Sequence, residues 1–299
     1  MSGEADLRPA IRKLAAGTNL SEAEIALAFD AILAGSVTDA SIGAFLVALT
    51  MKGPTAGEIR SVLQTVRRHA RRITPNIKGT LIDTCGTGGD SIRSFNISTA
   101  AAIVASSAGA KIAKHGNRSV SGMCGSADFL EEVGFDLNSP PETIRSCIEN
   151  IGIGFLYAPN FHPSMKNVAS SRKAIGIRTV FNIVGPLSNP CTNIWGQVIG
   201  VFEPALMEIF SEACQGYMKE AMIVHAADGF DELSTPVKTT SCGPQAKVRP
   251  RGCACTPRYL TCPLPSQSNW LSIQKMSRLR QLFKRYTVRH QEKRRTLSS

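Results

Sequence analysis

From about residue 78 the chain alternates short strand-like runs with helix-length segments, and that alternation constrains its fold more than any other feature. "GTLIDT", "KIAKHG", "GFLYAP", "WGQVIGVF" and "EAMIVHA" have strand length and apolar content. "ISTAAAIVASSAGA", "SADFLEEVG" and "PALMEIFSEACQGYM" have helical length and pattern. Parallel neighbours need a crossover between them, so this order predicts an α/β layer with a mainly parallel sheet. The stretch before it reads differently. "SEAEIALAFDAILAG" opens on a capping box, Ser21 with Glu24, and closes on Gly35, with Ile25, Ala28, Phe29 and Ile32 on one face. "TAGEIRSVLQTVRRHARR" repeats the device with Thr55 and Glu58, and its basic end suits a helix carboxyl terminus. "DASIGAFLVALTMKG" between them is apolar nearly all round, as a helix covered on several sides would be. The expected organisation is a small helical domain over 1–72 and an α/β domain over 73–235, joined through "RRITPNIKG".

Residues 236–299 are of another kind. They are rich in Pro, Cys, Ser and Thr and carry no strand or helix period until "WLSIQKMSRLRQLFKRYTV", which has the pattern of a basic amphipathic helix. Lys238 to Ser299 hold fourteen of the 34 basic residues and one of the 23 acids, Glu292. The net charge of +11 therefore belongs to this tail, at +13, while the remainder stands at −2 (20 basic against 22 acidic). The composition predicts disorder and looks like translation out of frame. No apolar stretch is long enough to cross a bilayer, the first residues lack the apolar core of a secretory signal, and the nine cysteines show no paired framework. Reduced thiols and a cytoplasmic setting are the expectation.

Three polar segments could carry chemistry. In "DTCGTGGDSIRSFNIST", Gly86, Gly88 and Gly89 stand between a strand and a helix, where bare backbone can present N–H groups to an anion and Asn96, Ser98 and Thr99 can donate at the helix start. Taken alone it also fits an ordinary tight turn with an N-cap. "KHGNRSVSG", residues 114–122, adds Lys114, Arg118, Asn117, Ser119 and Ser121 after a second strand. Two such loops at neighbouring strand ends favour a phosphate-rich ligand. "DGFDEL" offers adjacent carboxylates, Asp231 and Glu232, which suit Mg²⁺ beside a polyphosphate or simply form an acidic turn. Arg172 alone reads as a surface cation, and turned into a cleft it would grip a carboxylate with two prongs. His115 and His162 lack metal-ligand spacing.

Together and in order, "GTGGD", "FNIST", "KHGNRSVS", "GIGFLYAPNFHPSMK", "GIRTVFNIVGPLSNP" and "GFDELS" resemble anthranilate phosphoribosyltransferase, with "SIGAFLVALTMKG" agreeing in the helical part. The resemblance runs from about residue 8 to about residue 235. It implies a nucleoside phosphorylase/phosphoribosyltransferase-like fold and a homodimer joined through the helical domains, with a cleft at the hinge. It implies transfer of the 5-phosphoribosyl group to the amine of anthranilate in tryptophan biosynthesis. The sugar diphosphate would lie on Gly86, Gly89, Asp90, Ser94, Asn96, Ile97, Ser98 and Thr99. Lys114, His115, Gly116, Asn117, Arg118, Ser119, Val120, Ser121, Gly122 and Ser126 would hold its other side. Anthranilate would meet Gly86, Asn117 and Arg172. Two Mg²⁺ ions are implied, one at Ser98 and Glu232 and one at Asp231 with Glu232. Ser94 and Gly122 depart from the usual threonine and serine. The aryl amine is already neutral, so no acid or base is assigned. A nucleic-acid-binding relative of the same fold, using the basic tail, and a pyrimidine nucleoside phosphorylase are the competing readings.

Overall fold

The computed structural model describes residues 5–88, 95–119, 124–233 and 239–242. Four helices come first: α1 (Arg8–Ala15), α2 (Glu22–Ala34), α3 (Asp39–Lys52) and α4 (Ala56–Arg68). Both capping boxes form. The Ser21 hydroxyl accepts the Glu24 N–H and the Glu24 carboxylate accepts the Ser21 N–H; Thr55 and Glu58 do the same for α4. Gly35 ends α2 at φ 74°, a left-handed conformation that glycine adopts without steric cost. Phe29 stands edge-on to Phe45 at 5.8 Å, and Ile32, Ile42, Leu46, Leu49 and Val62 are buried around them. One charged pair is buried here. Glu58 accepts from the Lys52 ammonium at 2.6 Å and from the N–H groups of Leu20 and Thr55 at 2.9 and 2.8 Å.

The α/β part follows as β1 (Leu81–Gly86), α5 (Ile97–Ser107), β2 (Lys111–Gly116), α6 (Ser126–Glu132), α7 (Pro141–Ile151), β3 (Ile153–Tyr157), α8 (Ala158–Phe161) and a single 3₁₀ turn, Pro163–Met165. Then come α9 (Lys166–Ile175), α10 (Val180–Leu187), β4 (Gly196–Gly200), α11 (Leu206–Ala213), β5 (Glu220–Ala226) and β6 (Thr239–Cys242). The sheet order is β3-β2-β1-β4-β5-β6, parallel throughout except for β6. The order in which strands are added to the sheet reverses between the parallel neighbours β1 and β4, where Gly86 lies opposite Gly200. Crevices at such reversals, beyond the carboxyl ends of the strands, are where sheets of this kind take ligands.

Two features differ from the expected organisation. The helical layer is not made of residues 1–72 alone, because α9 packs on α2 and α3, and α10 on α3 and α4. Asn167 donates to the Leu33 carbonyl at 2.8 Å, and Phe181 stands edge-on to Phe29 at 5.6 Å. Helices coded downstream of β3 thus complete the bundle and tie it to the sheet. The second difference is β6. The sequence after Pro236 carries no strand period, yet Thr239–Cys242 pairs antiparallel with β5, Val224 facing Ser241. The basic helix pattern at 270–288 and the rest of the tail lie outside the described residues.

Candidate active site

The three polar segments meet at the carboxyl edge of the sheet. Gly86 ends β1 and Gly200 ends β4, and the Asp231 segment crosses both closely. A Cβ on Gly86 would stand 2.9 Å from Asp231 Oδ2, and one on Gly200 would overlap the Asp231 carbonyl oxygen. Bare backbone is therefore required at both strand ends. The Gly88 N–H donates to Asp231 Oδ2 at 3.1 Å, joining the glycine loop to the acidic segment.

The second junction links the glycine loop to residues 114–126. The Asn96 side chain donates to the Gly125 carbonyl at 3.3 Å and the Thr99 hydroxyl to Ser126 Oγ at 2.9 Å, so the first turns of α5 and α6 lie side by side. Ile97 opens α5, and the Ser98 carbonyl accepts from the Thr84 hydroxyl at 2.8 Å. Lys114 is buried beneath this turn. Its ammonium donates to the Thr84 carbonyl at 2.6 Å and to Ser98 Oγ at 3.3 Å. Burial pushes its pKa down, while the carboxylates of Asp83 and Glu232 act in the opposite sense. Glu232 is thereby within electrostatic reach of Lys114.

Other predicted site residues take up different positions. Gly116 and Asn117 follow at the end of β2, and Asn117 is exposed. Arg118 is turned onto α6, its guanidinium on Asp128 and Glu131 at 2.9 and 2.8 Å, and Asp128 also accepts the N–H groups of Ser119 and Gly125. In this state its charge is matched within the protein and it pins the loop. His115 is buried with its ring 5.3 Å from that of His162. Burial depresses both, His162 to about 4 and His115 well below its usual value, so both are neutral core side chains near pH 7. Arg172 is half-buried on α9, with its guanidinium 5.2 Å over the Phe181 ring and no hydrogen bond or ion pair among the described residues. Gly89, Asp90, Ser94, Val120, Ser121 and Gly122 lie outside the described residues.

Sequence reasoning passed over the group beneath the site. Asp83, in the middle of β1, has no exposed surface and accepts from the His115 backbone N–H and from the carboxamides of Asn189 and Gln197. Burial raises its pKa, against the pull of Lys114 and these donors. The available signal was a lone acid inside the apolar run "LIDT".

Against this geometry the comparisons with known proteins fall into line. Residues 8–70 match the helical bundle domain of a glycosyl transferase family, and residues 78–247 match its a/b domain. An anthranilate phosphoribosyltransferase of Acetivibrio thermocellus is 50% identical over 234 residues, 78% of this chain and 67% of that one. The chain belongs to the anthranilate phosphoribosyltransferase family. The enzyme of that name from Alkaliphilus metalliredigens is 44% identical over 78% of this chain and 68% of its own length. The crystal structure of an anthranilate phosphoribosyltransferase from Thermus thermophilus superposes with a TM-score of 0.77 at 38% identity, covering 84% of this chain and 74% of that one. The Saccharomyces cerevisiae family member in complex with PRPP and Mg superposes at 0.72 and 31% identity, covering 79% and 70%. These relatives favour neither nucleic-acid binding nor a nucleoside phosphorylase.

The residues present fit a hard divalent cation. Asp231, Glu232 and Ser98 would offer oxygen donors only, two of them carboxylates. Among the described residues no cluster of three His, Cys, Asp or Glu could hold a metal. Two carboxylates and a hydroxyl suit Mg²⁺, which keeps several waters and shares its remaining positions with substrate phosphates.

Proposed function

We propose that this chain transfers the 5-phosphoribosyl group of 5-phosphoribosyl 1-diphosphate to the amine of anthranilate, releasing diphosphate. The observation that carries the reading is the convergence of the glycine loop, the Lys114–Ser126 segment and the Asp231–Glu232 pair at the β1–β4 reversal. Backbone N–H groups at the start of α5, with the Lys114 ammonium below them, favour negative charge there. The diphosphate and sugar phosphate would lie on Gly86, Gly89, Asp90, Ser94 and Asn96 to Thr99, and on Lys114 to Gly122 with Ser126. Ser98 with Glu232 would hold one Mg²⁺ and Asp231 with Glu232 a second, and these ions would supply charge neutralisation for the leaving diphosphate.

Arg172 would take the anthranilate carboxylate, a role suited to a half-buried guanidinium without a carboxylate partner among the described residues. Asn117 and Gly86 would complete that subsite. The C1′–diphosphate bond breaks as the N–C1′ bond forms, and the proton of the arylamine leaves to water. Positioning and electrostatic stabilisation of the leaving group carry the rate, and no side chain need act as a strong base.

We also infer a cytoplasmic homodimer with its interface on the helical layer. Supporting it, Leu27 and Met51 are 71% and 82% exposed, and a cleft of about 430 Å³ runs between α3 and α9 past Asp39, Gly43 and Ala174. Cys147, Cys191 and Cys214 are free and buried, which agrees with a reducing compartment. No helix among the described residues is long and apolar enough to cross a membrane. The test is loss of anthranilate fluorescence on adding the sugar diphosphate and Mg²⁺. Glu232→Gln is expected to shift the Mg²⁺ titration at least tenfold upward, and an unshifted titration removes Glu232 from the site.

A further inference from the structure

We infer that Asp83 is a positioning residue for the sugar-diphosphate ligand, holding the carboxyl ends of β1, β2 and β4 in the arrangement that turns the two anion-binding loops toward each other. This rests on the function argued above. Asp83 Oδ1 accepts from the His115 backbone N–H at 3.1 Å, and Oδ2 accepts from Asn189 Nδ2 at 2.8 Å and Gln197 Nε2 at 2.9 Å. Two of the donors lie on strands that lead to the carboxyl edge of the sheet. His115 is followed by Gly116 to Ser119, Gln197 lies opposite Asp83 three residues before Gly200, and Asn189 sits in the turn after α10.

Asn189 is held on every side. Its Nδ2 also donates to the Ala113 carbonyl at 2.8 Å and its Oδ1 accepts the Cys191 N–H at 2.9 Å. The Asn189 carbonyl in turn accepts from the Arg67 guanidinium on α4 at 2.6 Å, so the tie reaches the helical layer. A fully buried carboxylate is a poor device for stability alone, because an apolar side chain of similar volume would avoid its desolvation. Three neutral donors drawn from three segments onto one anion make sense as a geometric lock.

Asp83→Asn tests the lock with almost no change of volume. The new carboxamide can still accept from His115, but its NH₂ faces two other NH₂ groups. Gln197, whose Oε1 has no partner among the described residues, can turn only by giving up its bond to the Pro186 carbonyl at 3.1 Å. Asn189 cannot turn without losing both Ala113 and Cys191. Titration calorimetry with magnesium diphosphate is expected to show at least tenfold weaker binding. In turnover, the KM for the sugar diphosphate should rise at least tenfold while that for anthranilate stays within twofold. Unchanged diphosphate affinity or equal shifts in both KM values overturns the proposal. If Asp83→Asn does not fold, Gln197→Met, which removes one donor, is read in the same titration. Threefold weaker diphosphate binding supports the lock, and an unchanged constant overturns it. A parent chain that binds no diphosphate overturns the function reading and this proposal together; a parent that binds while the variants match it overturns this proposal alone.

Discussion

Between α3 and α4 the buried Glu58 carboxylate is met by an ammonium and two amides, whereas on α9 the half-buried Arg172 guanidinium meets only an aromatic ring among the described residues. Lys114 stands between these cases, buried, bound to a carbonyl and a hydroxyl, and without a carboxylate in contact. Desolvated charge is costly, and the Glu58–Lys52 pair offsets that cost inside the chain. At Arg172 and Lys114 the compensation among the described residues is incomplete, and an anionic ligand is the natural complement. Arg118 shows the same contrast within one loop: its acids on α6 make it a clasp, while Lys114 four residues earlier has none.

The largest effect that would sharpen this contrast belongs to the bundle. Glu58→Ala leaves the Lys52 ammonium buried beside two unsatisfied amides and is expected to cost about 3–5 kcal/mol in chemical unfolding. A loss below about 1 kcal/mol would show that Glu58 is not self-contained structure. Next in size is an acid effect. The His162 imidazole titrates near 6.5 when unfolded and at about 4 when folded, because burial first and the Arg67 charge second oppose its protonation. Stability is then whole above pH 6.5 and falls as protons bind the unfolded chain between 6.5 and 4, by about 3 kcal/mol for this residue. Unfolding free energies at pH 7 and pH 4 measure the slope, and His162→Phe should flatten it. Arg172→Ala is expected to raise the anthranilate KM about 30-fold, about 2 kcal/mol, with the sugar-diphosphate KM within threefold and little change in unfolding. Equal changes in both constants would break the comparison. The smallest effect is that of Ser21→Ala, about 1 kcal/mol of stability from a lost cap.

Much of this architecture is legible in the chain because its signals are local. Ser21 with Glu24 and Thr55 with Glu58 announce their helices three residues apart, and each strand of the parallel sheet carries its own apolar run. The anion loops are legible for the same reason, since their glycines and hydroxyls are contiguous. What escapes is whatever depends on distant partners. The donors to Asp83 lie up to 114 residues away, so a lone acid in a strand gives no hint of its lock. Arg118 reads as a free cation until α6 brings Asp128 and Glu131 against it. Four residues of β6 are too few and too polar to register as a strand without β5 beside them.

The bundle is finished by helices that the ribosome makes late. Asp39 on α3 bonds Ser170 and Ser171 on α9, a separation of more than 130 residues. The first seventy residues must therefore emerge and wait, with the faces that later receive α9 and α10 bare, until β1, β2 and β3 have been synthesised. Nascent chains stalled before Ile175 should accordingly be far more sensitive to proteases in the α2–α3 region than chains stalled after Leu187.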